Sequence, residues 1–296
     1  MDVVIPVGLK DFYIVQKNIA NINKFFDYEN IYVISDKNSF SFFEKTFLEK
    51  NRVVLIGEND VSPGLSFQSV KALIDKKGLV YPSYGWYFQQ FLKILFARSK
   101  WAKNEYLIWD ADTIPLRHID FKENDVYLFN LKEEHHIPYF DSIKKILGLE
   151  KAVAKSFITE HIVVDVAIMK EMLDKIEQNC GETVWEAIIN CQPQDVKFGF
   201  SEYETYGTYI YSTYPNKVKF RDLKTYRDAG CKYGRGISKR NLEKLGKEYD
   251  TASFEAGHHP RGIHAASDIF FRIKQKIFRL RLAKKIKQPR LPQPQS

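Results

Sequence analysis

The chain has 296 residues, 44% hydrophobic and 15% aromatic, enough apolar matter for one large domain or two small ones. No stretch is apolar over the ~18 residues that a membrane-crossing helix needs, the opening MDVVIPVG lacks the regions of a signal peptide, and three widely spaced cysteines (Cys180, Cys191, Cys231) fit a reduced cytoplasmic chain better than a disulfide framework or zinc motif. The formal charge of +8 is local: nine Lys and Arg lie between Arg272 and Arg290, no acid follows Asp268, and the remaining 36 basic residues balance 37 acidic ones, which speaks against a nucleic-acid-binding body.

In chain order, Asp2–Val7 is a short β-branched run, as expected of a strand buried on both faces. Residues 9–26 follow with a looser helical pattern. Asn30–Ser35 reads as a second strand ending at Asp36, 39–50 as a helix with Ser39 as its N-cap, and 52–57 as a third strand. This alternation predicts a mostly parallel sheet with crossover helices. Residues 85–99 form a helical pattern with Phe88, Phe91, Leu92 and Leu95 on one face. Glu105–Trp109 reads as a fourth strand and 125–130 as a fifth. Further on, 161–179 reads as a strand running into a helix, 200–214 as an aromatic-rich helix, and 225–265 as loop. Residues 267–288 make a basic amphipathic helix, and the Pro- and Gln-rich end is expected to be disordered. The expected division is a catalytic domain over 1–265, in halves of about 1–130 and 131–265, followed by a basic tail over 266–296.

The sharpest signal is EYLIWDADTIPL, where an apolar strand stops at Asp110 and Asp112. In open α/β sheets, ligands bind beyond the carboxyl ends of the strands. On extended backbone, residues i and i+2 point the same way, so both carboxylates converge. A hard divalent cation with oxygen ligands relieves their repulsion and bridges the oxygens of a diphosphate. Asp is also common in surface turns, and Asp-x-Asp alone is a weak signal.

With VVIPV, YVISD, GWYFQQFLKI and FSEYETYG, the stretch YLIWDADTIPL resembles glycosyltransferases of the GT-A fold, in particular a bacterial group linked to surface polysaccharide or lipopolysaccharide synthesis. The resemblance covers roughly residues 1–265. It implies an α/β fold, a Rossmann-like, mostly parallel sheet flanked by helices. It also implies a metal-dependent hexosyl transfer from a nucleotide-sugar, UDP-linked by preference, to a lipid- or glycan-linked acceptor. By position, Asp110 and Asp112 would hold Mn²⁺ or Mg²⁺ against the diphosphate. Pro6, Val7 and the loop that follows, with Ser35 and Asp36, would line the nucleotide pocket, with Gln90 and Lys93 reaching the nucleoside or phosphates. A late histidine, His259 or His258 (or His264), would complete the metal site, and Arg261 would neutralise the leaving diphosphate.

Inverting transfer, slightly favoured here, needs a carboxylate that removes the acceptor's proton. Ser201-x-x-Glu204 matches a capping box, which leaves Glu202 as the expected base, Glu204 second and Glu160 third. Trp86, Tyr203, Tyr206 and Tyr209 are core residues or sugar-stacking platforms. At 100° per residue, Ile269, Phe270, Ile273, Ile277 and Leu280 share one arc flanked by Lys and Arg, a pattern suited to an anionic membrane surface. The expected location is therefore cytoplasmic, peripheral at the inner face of the membrane. Two other functions compete. A sugar-phosphate nucleotidyltransferase would carry a Gly-rich, Arg-containing loop where this chain has PVGLKDFY. A non-catalytic glycan-binding or membrane-surface module would not need the intact Asp-x-Asp.

Overall fold

The computed structural model describes residues 1–260 and 262–287. Eleven strands run in chain order among them: β1 (Asp2–Pro6), β2 (Ile31–Ser35), β3 (Val53–Gly57), β4 (Glu105–Trp109), β5 (Thr113–Pro115), β6 (Lys122–Glu123), β7 (Val126–Asn130), β8 (His161–Asp165), β9 (Val218–Arg221), β10 (Thr225–Tyr226) and β11 (Thr251–Ser253). The α-helices are α1 (Phe12–Phe25), α2 (Lys45–Lys50), α3 (Phe67–Lys77), α4 (Tyr84–Leu95), α5 (Ile137–Leu147), α6 (Val166–Cys180), α7 (Val184–Asn190), α8 (Glu202–Thr213), α9 (Ala229–Tyr233), α10 (Lys239–Leu245) and α11 (Ala265–Lys287).

The central sheet has five strands in the order β3-β2-β1-β4-β8. The first four are parallel, and β8 closes the edge antiparallel to β4, pairing Trp109 with His161 and Glu105 with Asp165. Every residue of β1, β2 and β8 is buried, as near-continuous β-branched runs require when helices cover both faces. Connection order reverses between β1 and β4, and the crevice outside their carboxyl ends is where such sheets take ligands. The α/β class and the mostly parallel sheet are therefore as expected.

Several local expectations change. The run 39–50 is not one helix but a 3₁₀ segment, Lys37–Phe42, followed by the short α2. Asp36, not Ser39, caps it by accepting from the Asn38 amide at 2.8 Å. Residues 125–130 do form a strand, β7, but it joins a separate three-stranded sheet ordered β6-β7-β9. Residues 225–265 are not loop. They supply β10, α9, α10 and β11, and β11 pairs antiparallel with β5 directly after the Asp-x-Asp segment. Their apolar side chains Ile237, Leu242, Leu245 and Phe254 build a second core with Ile114, Leu116 and Phe271 of α11. Residues 289–296, expected to be disordered, lie outside the described residues, as does Arg261.

Candidate active site

At the end of β4 the chain leaves extended geometry and turns. The Asp110 amide donates to the Glu160 carbonyl at 3.0 Å, and the Thr113 amide returns to the Asp110 carbonyl at 3.2 Å. The buried Asn18 amide group of α1 donates to the carbonyls of Asp110 and Ala111 at 3.0 and 3.2 Å. The Trp109 indole closes the turn onto the Thr113 carbonyl at 2.6 Å. Asp110 and Asp112 thus reach the same cavity from a clamped turn rather than from a straight strand. A turn held from three sides keeps its carboxylates placed before any ligand arrives.

The cavity measures about 370 Å³. Lys10 and Asp11 after β1, Trp86, Gln90 and Lys93 of α4, Asp110–Thr113, Glu160, Glu202, Tyr203, Arg227, Ser253 and Glu255–Gly257 contribute to its lining. On one side Lys93 sits with its ammonium 2.6 Å from Asp110 Oδ1 and 2.6 Å from Glu202 Oε1. Burial alone would strip its proton, but Asp110 and Glu202 outweigh that cost and raise its pKa, so it stays charged. The Tyr203 hydroxyl adds a 2.7 Å bond to Asp110 Oδ1, fixing that carboxylate's rotamer. Gln90 accepts from the Glu202 amide at 2.9 Å, which satisfies a first-turn donor of α8.

On the other side Asp112 has no such partner. Burial pushes its carboxyl up to about 7, with Asp11 and Asp110 adding to the rise and Arg235 and Lys10 only partly opposing it. Arg235 is committed to Asp11, at 2.5 Å, with only 3% of its side chain exposed. Asp112 therefore feels two further carboxylates with too little positive charge to offset them, and carboxylate oxygens are the ligands a divalent cation takes. The carboxylates that line the cavity are of the ligand type that suits Mn²⁺ or Mg²⁺.

The expected bases are placed differently from one another. Glu202 is buried at the cavity wall and tied to Lys93, and burial raises its pKa against that pairing. Ser201 caps α8 as expected, accepting from the Glu204 amide at 3.3 Å. Glu204 does not reach back to complete the box. Its Oε2 accepts from the Ser156 hydroxyl at 2.5 Å and the Phe157 amide at 3.0 Å, while its buried Oε1 accepts no hydrogen bond, and Glu204 does not line the cavity. Glu160 is 7% exposed and lines the cavity. Its backbone adopts the left-handed region at φ 62°, uncommon for a non-glycine residue. Lys132 holds its Oε2 at 2.5 Å, whereas Oε1 accepts no hydrogen bond and has Arg227 Nε 3.4 Å away. Burial raises its pKa despite both cations.

Pro6, Val7, Ser35 and Asp36 do not line this cavity. Ser35 is buried and donates to the Val7 carbonyl at 3.0 Å, and Asp36 is spent on its cap. Of the stretch expected there, the loop that follows Val7 does reach the cavity, through Lys10 and Asp11. His258 and His259 do not line this cavity: His258 sits with Asp228 and Cys231, their ligand atoms within 4.8 Å of one another, and His259 is exposed. Trp86 faces the cavity and stacks on Tyr139, with ring centroids 6.2 Å apart and planes at 15°. Tyr206 and Tyr209 are buried packing residues, whereas Tyr203, also buried, lines the cavity. Asp11, Glu134, Tyr139 and Arg227 carry no motif in the sequence. Arg235 is 224 residues from Asp11, and only the fold joins them.

No curated protein matches the sequence. Among solved structures, the chain is similar to mouse xyloside xylosyltransferase 1, at 10% identity over 86% of this chain and 97% of that one, with a TM-score of 0.48. It is similar to core-mannan synthase A from Aspergillus fumigatus in an Mn/GDP form, at 10% identity over 74% and 72% of the chains and a TM-score of 0.48. The glycosyltransferase GlyE in Streptococcus pneumoniae aligns at 12% identity over 99% and 65%, with a TM-score of 0.44. Residues 3–234 match the profile of the "Family of unknown function (DUF6492)", and the chain belongs to that family.

Proposed function

We propose that the chain is a divalent-metal-dependent glycosyltransferase. It moves a hexose from a nucleotide-sugar, UDP-linked by preference, to a lipid- or glycan-linked acceptor in bacterial surface polysaccharide or lipopolysaccharide synthesis. The observation that carries this reading is Asp112, a carboxyl raised to about 7 between Asp11 and Asp110 at the carboxyl end of β4. A bound Mn²⁺ or Mg²⁺ supplies charge neutralisation to the departing diphosphate. Lys93 and Tyr203 hold Asp110 in its cation-facing rotamer. Trp86 and Tyr139 offer an aromatic wall for a sugar ring.

Glu160 replaces Glu202 as the proton acceptor in this reading: each is paired with a lysine, but Glu202 shares Lys93 with Asp110, whereas Glu160, held by Lys132 through Oε2, keeps an Oε1 that accepts no hydrogen bond. The acceptor hydroxyl gives its proton to Glu160 Oε1, and its oxygen bonds to the anomeric carbon. The bond from that carbon to the diphosphate breaks, and its electron pair leaves with the phosphate oxygen. Displacement of this kind inverts the anomeric centre.

The test is thermal stability and nucleotide release with UDP-, GDP- and CMP-sugars, each with Mn²⁺ and with EDTA. A shift and slow release with one donor, both lost in EDTA, are expected. Indifference to every donor in Mn²⁺ overturns the reading. Glu160→Gln is expected to lower nucleotide release by roughly 10²–10⁴-fold, the usual worth of a general base. Binding of the nucleotide with Mn²⁺ should remain. Release at the wild-type rate removes Glu160 from the chemistry and leaves the metal reading standing.

A further inference from the structure

We propose that α11 seats the protein on an anionic lipid bilayer through Ile269, Phe270, Ile273, Ile277 and Leu280. These five side chains are 45–60% exposed. They are the arc that the 100° spacing places on one face. The opposite face is buried: Asp268, Phe271, Gln275 and Phe278 are 2–8% exposed, and Phe278 stacks on Phe12 at 4.2 Å. At 100° per residue the two faces lie about 170° apart, so the apolar stripe points straight away from the domain. A helix held by one face with a second apolar face in water has an unfilled partner site.

Charge selects the partner. Lys274 and Arg281 border the stripe on one side and Lys276 on the other, while Arg272 is tied to Asp268, the one acid of the helix, on the buried face. A second copy would oppose basic edge to basic edge. A bilayer with anionic headgroups accepts the apolar stripe in its acyl boundary and the basic edges among its phosphates. No helix among the described residues is long and apolar enough to cross a membrane, so α11 lies along the surface.

The seat is tied to the cavity. Gln275 donates to the carbonyls of Leu9 and Lys10, and Asp268 accepts from the Arg235 amide at 2.9 Å. Arg235 in turn grips Asp11. The loop bearing Lys10 and Asp11 is therefore held about one helix diameter, ~10 Å, from the lipid. This placement suits an acceptor anchored in the same bilayer, although vesicle binding itself does not rest on glycosyl transfer.

The experiment is co-sedimentation of the full chain with phosphatidylcholine vesicles, with and without phosphatidylglycerol, read beside its oligomeric state. Binding only to the anionic vesicles is expected. The double substitution Ile273→Asp with Ile277→Asp removes two side chains from the lipid, each worth roughly tenfold, and should cut binding by about a hundredfold. Both positions are exposed, so the melting temperature should not fall. Lys274→Glu with Lys276→Glu should also weaken binding, in a salt-dependent way. No binding by the wild type, equal binding by the Asp variant, or equal binding to neutral vesicles overturns the proposal. So does a dimer that the Asp variant dissolves while vesicles bind neither.

Discussion

Asp112→Ala is expected to abolish the stabilisation that Mn²⁺ and a nucleotide-sugar give the wild-type protein. At a ligand concentration one hundred times its Kd, that stabilisation is about 2.7 kcal/mol. The alanine variant should melt at one temperature with Mn²⁺ or EDTA. A retained metal-dependent shift would remove Asp112 from the site. The metal-free protein should show the complementary effect. The Asp112 carboxyl has an ordinary value of 3.8 and is held near 7 in the fold. Between those values the unfolded chain has lost the proton that the folded chain keeps. Folding then binds a proton, so this group's contribution to stability falls as pH rises across that window. Asp112→Asn removes this slope and should make the metal-free protein more stable than wild type at pH 8. For the same reason the wild-type shift on adding Mn²⁺ should grow with pH up to about 7 and level off above it, because the cation competes with a proton. A shift flat between pH 5 and 8 would contradict the assignment.

Lys93→Met should be the most destabilising single change near the cavity. It leaves Glu202, 4% exposed at its side chain, and Asp110, 21% exposed, without their shared ammonium. Breaking a buried ion pair from one side costs about 3–5 kcal/mol, mostly because the surviving charge is stranded. Without Lys93, burial raises Glu202 further, and stability should recover as pH falls and the carboxyl takes up a proton. The double variant Lys93→Met with Glu202→Gln should regain most of the loss, because it removes the stranded charge as well as its partner. Denaturant unfolding at pH 7.5 and at pH 5 measures both effects. Equal losses at the two pH values, or no recovery in the double variant, would mean that Lys93 acts by packing alone.

Legibility followed the range of the interactions. Strands β1, β2 and β4 were readable because burial on both faces demands continuous apolar runs, a property of five or six neighbouring residues. The stripe on α11 was readable from helical period alone, and its five residues are exposed together in the structure. The segment 225–265 misled because its strands are two or three residues long and its core partners, Ile114 and Phe271, are distant in sequence. The helix expected over 39–50 broke because Asp36 captured the cap and a 3₁₀ turn preceded α2.

By itself the sequence determined that a parallel α/β sheet would end at Asp110 and Asp112 and that a basic helix with one apolar stripe would follow. Those are consequences of local period, composition and the chemistry of adjacent carboxylates. Tertiary structure alone decided the division of roles among the acids. Lys93 lies 109 residues from Glu202 and neutralises it, Ser156 and Phe157 hold one oxygen of Glu204 away from the cavity, and Arg235 turns to Asp11. Asp112 is left short of positive charge, and Glu160 is left with an oxygen that accepts no hydrogen bond. Which carboxylate is free depends on which cation and donor the fold delivers to it, and that delivery is a matter of distance in space rather than spacing along the chain.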